Sequence, residues 1–121
     1  MCGILGIYNL DSTAVNPKVL KAMGKKIAHR GPDGEGTYFD QNIGMIHKRL
    51  AILDPSLKGQ QPMQSKDGQW VIVFNGCIYN FKALRSKLIE KGYQFISDSD
   101  TEVIAEGFSA NGPNFIEQFN G

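Results

Sequence analysis

The chain has 121 residues, 41% of them hydrophobic and 21% charged, with a formal net charge of +1. This is ordinary for one compact globular domain, and no basic or acidic excess points to nucleic acid or a membrane surface. No stretch reaches the ~20 apolar residues of a membrane span, and no charged leader precedes the short apolar run at the start. The two cysteines, Cys2 and Cys77, suit neither a disulfide framework nor a metal site, so the expected setting is the cytoplasm, with reduced thiols and no bound metal.

CGILGIYNL reads as a buried first strand. A helix follows from NPKVL, with Asn16 as N-cap, Pro17 in the first turn, and Leu20, Met23 and Ile27 on one stripe towards a stop at Gly31. HRGPDGEG is a loop by composition, with three glycines and one proline in eight residues. GTYFD and NIGMIHKRLAIL then form a hairpin turning around Asp40–Asn42. Alternation puts His47, Arg49 and Ala51 on one face of the second strand and Ile46, Leu50 and Ile52 on the other.

DPSLKGQQPMQSKDGQ is a surface loop, WVIVF a buried strand ending at Asn75–Gly76, and Asn80 the cap of a helix carrying Phe81, Leu84 and Leu88 to Gly92. YQFIS reads as a short strand. SDSDTEV opens a further helix running to Gly112, and PNFIEQF is a last helical piece whose Phe115, Ile116 and Phe119 need something to pack on. Helices alternating with antiparallel hairpins give an α+β class. The expectation from the ending is that this is the N-terminal part of a longer protein.

The opening MCGILGIY poses a chemical question. If Met1 is removed, Cys2 carries a thiol and a free α-amine on one Cα. A thiol of pKa about 8.5 needs a base, and an α-amine of pKa roughly 7.7–8.0 is partly neutral at physiological pH. One residue then supplies both the attacking atom and its base. While Met1 is attached, that nitrogen is an amide without basicity. Taken alone, Cys2 reads first as a small strand residue, since most cysteines are structural or incidental, and Asn75–Gly76 reads as a hairpin turn of the Asn-Gly type.

HRGPDGEG, HKRLAILD, FNGCIYNF and SDSDTEV occur in the order and kind seen in class II glutamine amidotransferase domains. The chain resembles most the glutaminase domain of glutamine-hydrolysing asparagine synthetase, from MCGI to the final FNG. The resemblance implies the four-layer αββα fold of N-terminal nucleophile hydrolases, with the chain ending before that fold is complete. It implies that Cys2 attacks the side-chain amide of glutamine, releasing ammonia and leaving a thioester. Asn75 and Gly76 would form the oxyanion hole: a side-chain amide and a backbone N–H converging on one oxygen, with a close approach that glycine permits.

Arg49 resembles the arginine that grips the glutamine α-carboxylate, against the alternative of a strand arginine with its head in solvent. Asp100 resembles the aspartate that holds the α-ammonium, against the alternative of a helix N-cap. Leu50 and Ile52 would contact substrate through their main chain. Cys77 occupies the place of a family glutamate that also holds the ammonium, and a thiol is a poor substitute. That departure points to a less typical branch. His29, Asp33 and Glu35 read as loop-shaping residues, His47 as a neighbour of the pocket, and Trp70 and the phenylalanines as core.

The implied partner is a C-terminal ATP-dependent synthetase domain or subunit that receives the ammonia. ATP and Mg²⁺ belong there, and no cofactor is expected for residues 1–121. Two other readings stand beside this one. A non-catalytic glutamine-binding or interaction module would expose an unpaired sheet edge and self-associate into homo-oligomers. An N-terminal nucleophile hydrolase could act on another amide, but Arg49 and Asp100 suit the two charged ends of a free amino acid.

Overall fold

The computed structural model describes residues 1–52 and 56–121. Its contacts divide the chain into two compact units. The first comprises Met1–Ala51, Gln60–Pro62 and Val73–Asn75; the second comprises Ile52–Gly59 as far as it is described, Met63–Ile72 and Gly76–Gly121.

The first unit is built on a three-stranded antiparallel sheet of order β1-β3-β2, with β1 Gly3–Tyr8, β2 Gly34–Asp40 and β3 Ile43–Arg49. The hairpin between β2 and β3 turns at 41–42, where Gln41 takes a φ of 49°, as the sequence leads one to expect. Helix α1, Pro17–Lys26, lies on one face of the sheet. Its Asn16 cap accepts the Lys18 N–H at 2.9 Å, and Pro17 fills the first turn. Leu20 is fully buried and packs with Val15, Ile46, Leu5 and Ile7 to make the core of this unit. Met23, expected on the buried stripe, is 41% exposed, because the helix axis turns only the Leu20 and Gly24 side fully inward. The helix ends at Lys26 and a 3₁₀ turn, Ala28–Arg30, carries the chain on to Gly31.

The second unit contains a two-stranded ribbon, β4 Met63–Gln64 with β5 Val71–Ile72, and two helices, α2 Phe81–Glu90 and α3 Asp100–Asn111. Leu84 and Leu88 of α2 and Val103, Ile104 and Ala105 of α3 are buried. A 3₁₀ stretch, Pro113–Gln118, folds back so that Phe115 is buried beside Gly107, where a side-chain carbon would lie 1.8 Å from the Phe115 ring. Trp70 packs against Phe108 at 5.2 Å between ring centroids.

Four expectations need correction. YQFIS is not a strand: the Ile96 and Ser97 N–H groups are taken by the Glu102 carboxylate, which removes them from any ladder. The WVIVF strand shrinks to Val71–Ile72. The DPSLKGQQPMQSKDGQ loop contains the Leu57–Gly59 3₁₀ turn and β4. Asn80 stands at the start of α2 but does not cap it, because its side chain donates to the Gln118 carbonyl and accepts the Asn120 N–H. The expected end of the NIGMIHKRLAIL strand at Leu53 and the start of the following loop at 54–55 lie outside the described residues; β3 itself stops at Arg49.

Candidate active site

Cys2 directly precedes β1. The β1–β3 register pairs Gly3 with Lys48, so one further step sets Cys2 opposite Arg49. Residues directly opposed on neighbouring strands share a face. Cys2, Ile4, His47, Arg49 and Gly36 therefore point away from α1, while Leu5, Ile46 and Lys48 point towards it. The thiol also meets the main chain beyond β3. The Leu50 N–H donates to Sγ at 3.3 Å, and the thiol reaches the Leu50 carbonyl at 3.5 Å. Two contacts from one residue set both the position and the direction of the sulfur.

Arg49 is 8% exposed, so its head is not left in solvent as a bland strand arginine's would be. His47, two residues earlier on the same face, is fully buried, and neither ring nitrogen has a hydrogen-bond partner among the described residues. Burial pushes its pKa down, the Arg49 charge pushes it the same way, and the nearby Phe74 backbone only partly opposes them. The fold thus disfavours the protonated form of His47. Asp33 accepts the Ala51 N–H at 2.9 Å and Glu35 pairs with Lys48 across β2 and β3, so both shape this end of the sheet. Asn75 belongs to this unit too. It lies on a segment whose Phe74 N–H donates to Gln61 Oε1 at 2.5 Å. The Asn-Gly pair joins no two strands, since β5 ends at Ile72 and α2 follows; the hairpin-turn reading fails.

Gly76, Cys77, Asp100 and Ile52 belong to the second unit. Gly76 and Cys77 are exposed, and Ile52 is 72% exposed. Asp100 is buried at the first position of α3, where its carboxylate accepts the Ile78 N–H at 3.0 Å. It is not the cap: Ser99 is, accepting the Thr101 N–H at 3.1 Å. Asp100 thereby ties the residue after Cys77 to the helix start. Among the described residues no group of three or more His, Cys, Asp or Glu is placed to hold a metal ion, and no helix is long and apolar enough to cross a membrane.

A family model for the glutamine amidotransferase domain matches residues 1–121. The chain belongs to this family. Asparagine synthetase [glutamine-hydrolyzing] 1 of Bacillus subtilis is 44% identical over 107 residues, covering 86% of this chain and 17% of that protein. Asparagine synthetase [glutamine-hydrolyzing] 2 of Arabidopsis thaliana is 38% identical over 122 residues, covering all of this chain and 21% of its own length. Asparagine synthetase B [glutamine-hydrolyzing] of Escherichia coli is 36% identical over 122 residues, again the whole chain and 22% of that protein. This amidotransferase chain spans only about a fifth of the curated relatives it matches.

Two residues that sequence reasoning passed over organise this amidotransferase domain. Glu102 accepts hydrogen bonds from the Ile96 and Ser97 N–H groups and the Ser97 hydroxyl, at 2.9, 2.7 and 2.5 Å. The signal for it was present: Ser99 and Glu102 stand at the S-x-x-E spacing of a capping box, although Glu102 reaches past the cap to the loop behind it. Gln61 holds the Phe74 N–H, and nothing local in LKGQQPMQ distinguishes it from a loop glutamine.

Proposed function

We propose that this chain is the glutaminase part of an asparagine-synthetase-like amidotransferase, hydrolysing glutamine to glutamate and ammonia through an N-terminal cysteine thioester. What supports the reading most is the juxtaposition, at one end of the sheet, of Cys2 and Arg49 on the face opposite α1 with the Leu50 main chain against the sulfur. Met1 is 70% exposed ahead of β1, open to removal, and its loss would convert the Cys2 nitrogen from an amide to a basic amine. The helix-on-sheet packing of the first unit is compatible with the four-layer αββα N-terminal nucleophile fold, of which the resemblance makes residues 1–121 the N-terminal part.

In the proposed reaction the Cys2 α-amine takes the thiol proton and the sulfur adds to the glutamine side-chain carbonyl carbon. The oxygen becomes an anion, held by the Asn75 side-chain NH₂ and the Gly76 N–H. The tetrahedral species collapses, the C–N bond breaks, and the ammonium formed on Cys2 returns its proton to the leaving nitrogen, which departs as ammonia. Water, deprotonated by the same amine, then adds to the thioester; the C–S bond breaks and glutamate leaves with the thiol restored.

Arg49 grips the α-carboxylate bidentately and Asp100 receives the α-ammonium. Leu50 and Ile52 offer main-chain groups, and Cys77, uncharged in place of the family's glutamate, leaves the ammonium chiefly to Asp100. The ammonia passes to a C-terminal synthetase domain or subunit in the cytoplasm, where ATP and Mg²⁺ would be used; the glutaminase step draws on this chain's own groups.

The test is ammonia release from glutamine by protein whose N-terminus has been read by mass spectrometry. Des-Met protein is expected to turn over, Met-retaining protein and Cys2→Ala are not, and an electrophilic glutamine analogue is expected to label Cys2. Des-Met protein with neither turnover nor labelling would instead make the chain a non-catalytic glutamine-binding or interaction module.

A further inference from the structure

Gln60–Pro62 has no part in the reaction as proposed, yet it belongs to the unit that carries Cys2. Gln60 Nε2 donates to the Glu35 carbonyl on β2 at 3.0 Å. The next residue sits against the same strand. A side-chain carbon built at Gly36 would lie 2.0 Å from the Gln61 carbonyl oxygen and 3.0 Å from Pro62 Cδ, so only glycine lets this main chain seat there. Gly36 pairs with His47, on the face that Cys2 and Arg49 share. From this seat the Gln61 side chain, itself 7% exposed, accepts the Phe74 N–H at 2.5 Å. Phe74 immediately precedes Asn75. A continuous path thus runs from β2 through Gly36 and Gln61 to the backbone that carries Asn75.

We infer that Gln61 is a positioning residue for the oxyanion donor Asn75, with Gly36 as its seat on the sheet. This rests on the assignment of Asn75 made above. Donors of this kind work only if they are fixed before charge develops, because reorganising them during the reaction costs what they supply. The Phe74 N–H has Gln61 as its partner, and with that partner removed the segment loses this hydrogen-bonded link towards β2. The proposed reaction gives Gln61 no substrate contact; its role is to fix the segment on which Asn75 rides.

Three variants of the full chain test this: Gln61→Met, which keeps the volume and loses the acceptor, Gln61→Glu, which keeps an acceptor, and Asn75→Ala. Amide exchange at Phe74, read by NMR, needs no activity. Gln61→Met is expected to speed it by at least about tenfold and Gln61→Glu to restore most of the protection. In glutamine hydrolysis Gln61→Met is expected to lower kcat by about tenfold or more with KM nearly unchanged, short of the ~10²–10³ expected for Asn75→Ala. In the Asn75→Ala background the same change is expected to cost less than about twofold, since the two act through one donor. Alkylation of Cys2 by iodoacetamide, which needs no oxyanion donor, is expected to be unaltered.

Unchanged Phe74 exchange in Gln61→Met overturns the inference. So does an equal loss of kcat in the presence and absence of Asn75. If Asn75→Ala alone leaves kcat intact, the Asn75 assignment itself falls, and the positioning role with it. If the wild-type chain releases no ammonia, the proposed function falls, and the Phe74 exchange alone decides whether Gln61 anchors the segment.

Discussion

The end of β3 and the start of α3 bury charge in opposite senses. At β3 the buried groups are Lys48 and Arg49, with a buried His47 beside them. At α3 they are Asp100, Glu102 and Glu106. The carboxylates are spent on main-chain N–H groups: Asp100 on Ile78, Glu102 on Ile96 and Ser97, and Glu106 on Lys66 at 2.8 Å. Two of them also lie in the first turn, where the helix dipole favours an anion. The difference is one of backbone supply. The cations of β3 can only donate, and a strand's carbonyls are used by its neighbours in the sheet, so Lys48 is met by an acidic side chain, Glu35. A helix start faces loops whose N–H groups are free to be claimed, and acidic side chains claim them. The sheet region is organised by its ladder, and the α3 region by its carboxylates.

The largest effect expected from breaking this contrast is on the sheet's own support. Leu20→Ala removes the fully buried centre of the α1–sheet core and is expected to cost about 2–5 kcal/mol, read from denaturant midpoints. A shift under about 1 kcal/mol would mean that the ladder alone sustains the region. Next come the two proposed substrate grips. Arg49→Ala and Asp100→Asn are each expected to raise the KM for glutamine by about 10–100-fold, in line with the worth of hydrogen bonds to charged groups. Hydrolysis of a simple amide lacking carboxylate and ammonium should change far less; equal losses on both substrates would contradict the assignment. Asparagine keeps an oxygen for the Ile78 N–H, so Asp100→Asn is expected to remain folded.

Glu102→Gln keeps the side chain's shape but replaces one acceptor oxygen with an NH₂. A destabilisation of about 1–3 kcal/mol is expected, with faster amide exchange at Ile96 and Ser97. Exchange rates left as they were would show that the loop behind α3 holds itself.

The smallest effects concern pH, and the two regions differ in sign. His47 has a lowered pKa in the folded protein, so the unfolded chain takes up the proton first as pH falls, and stability drops below about pH 6.5. Glu106 is pushed up by burial, so the folded protein holds its proton longer, and its contribution declines as pH rises through the ordinary glutamate range. Replacing His47 with Gln should flatten the midpoint between pH 7.5 and 5.5. Replacing Glu106 with Gln should flatten the alkaline side of its own titration. A His47→Gln profile parallel to wild type would show that the histidine does not remain neutral in the fold.

Local chemistry was legible where it is self-contained. The Asn16 cap with Pro17, the hairpin turn at 41–42, the opposite faces of His47 with Arg49 and of Ile46, and the helix over SDSDTEV all follow from short-range pattern. The residues that carry the proposed chemistry were legible through the linked motifs. Their surroundings were less so. YQFIS has strand composition, but the Glu102 carboxylate takes its N–H groups. Asn80 has cap chemistry, but Gln118 and Asn120 occupy its amide. Asp100 is a fine cap residue, yet Ser99, one position earlier, is the one that caps.

By itself the sequence determined the elements with a clear period, the family, and the set of groups available for reaction, because periodicity and motif spacing are properties of neighbours along the chain. Only the tertiary structure decided that Cys2 falls beside Leu50 and opposite Arg49, that His47 is sealed away where burial disfavours its charge, and that a loop glutamine holds the backbone next to Asn75. Those outcomes depend on strand register and on contacts between residues 10 to 50 positions apart, and the chain carries no local record of either.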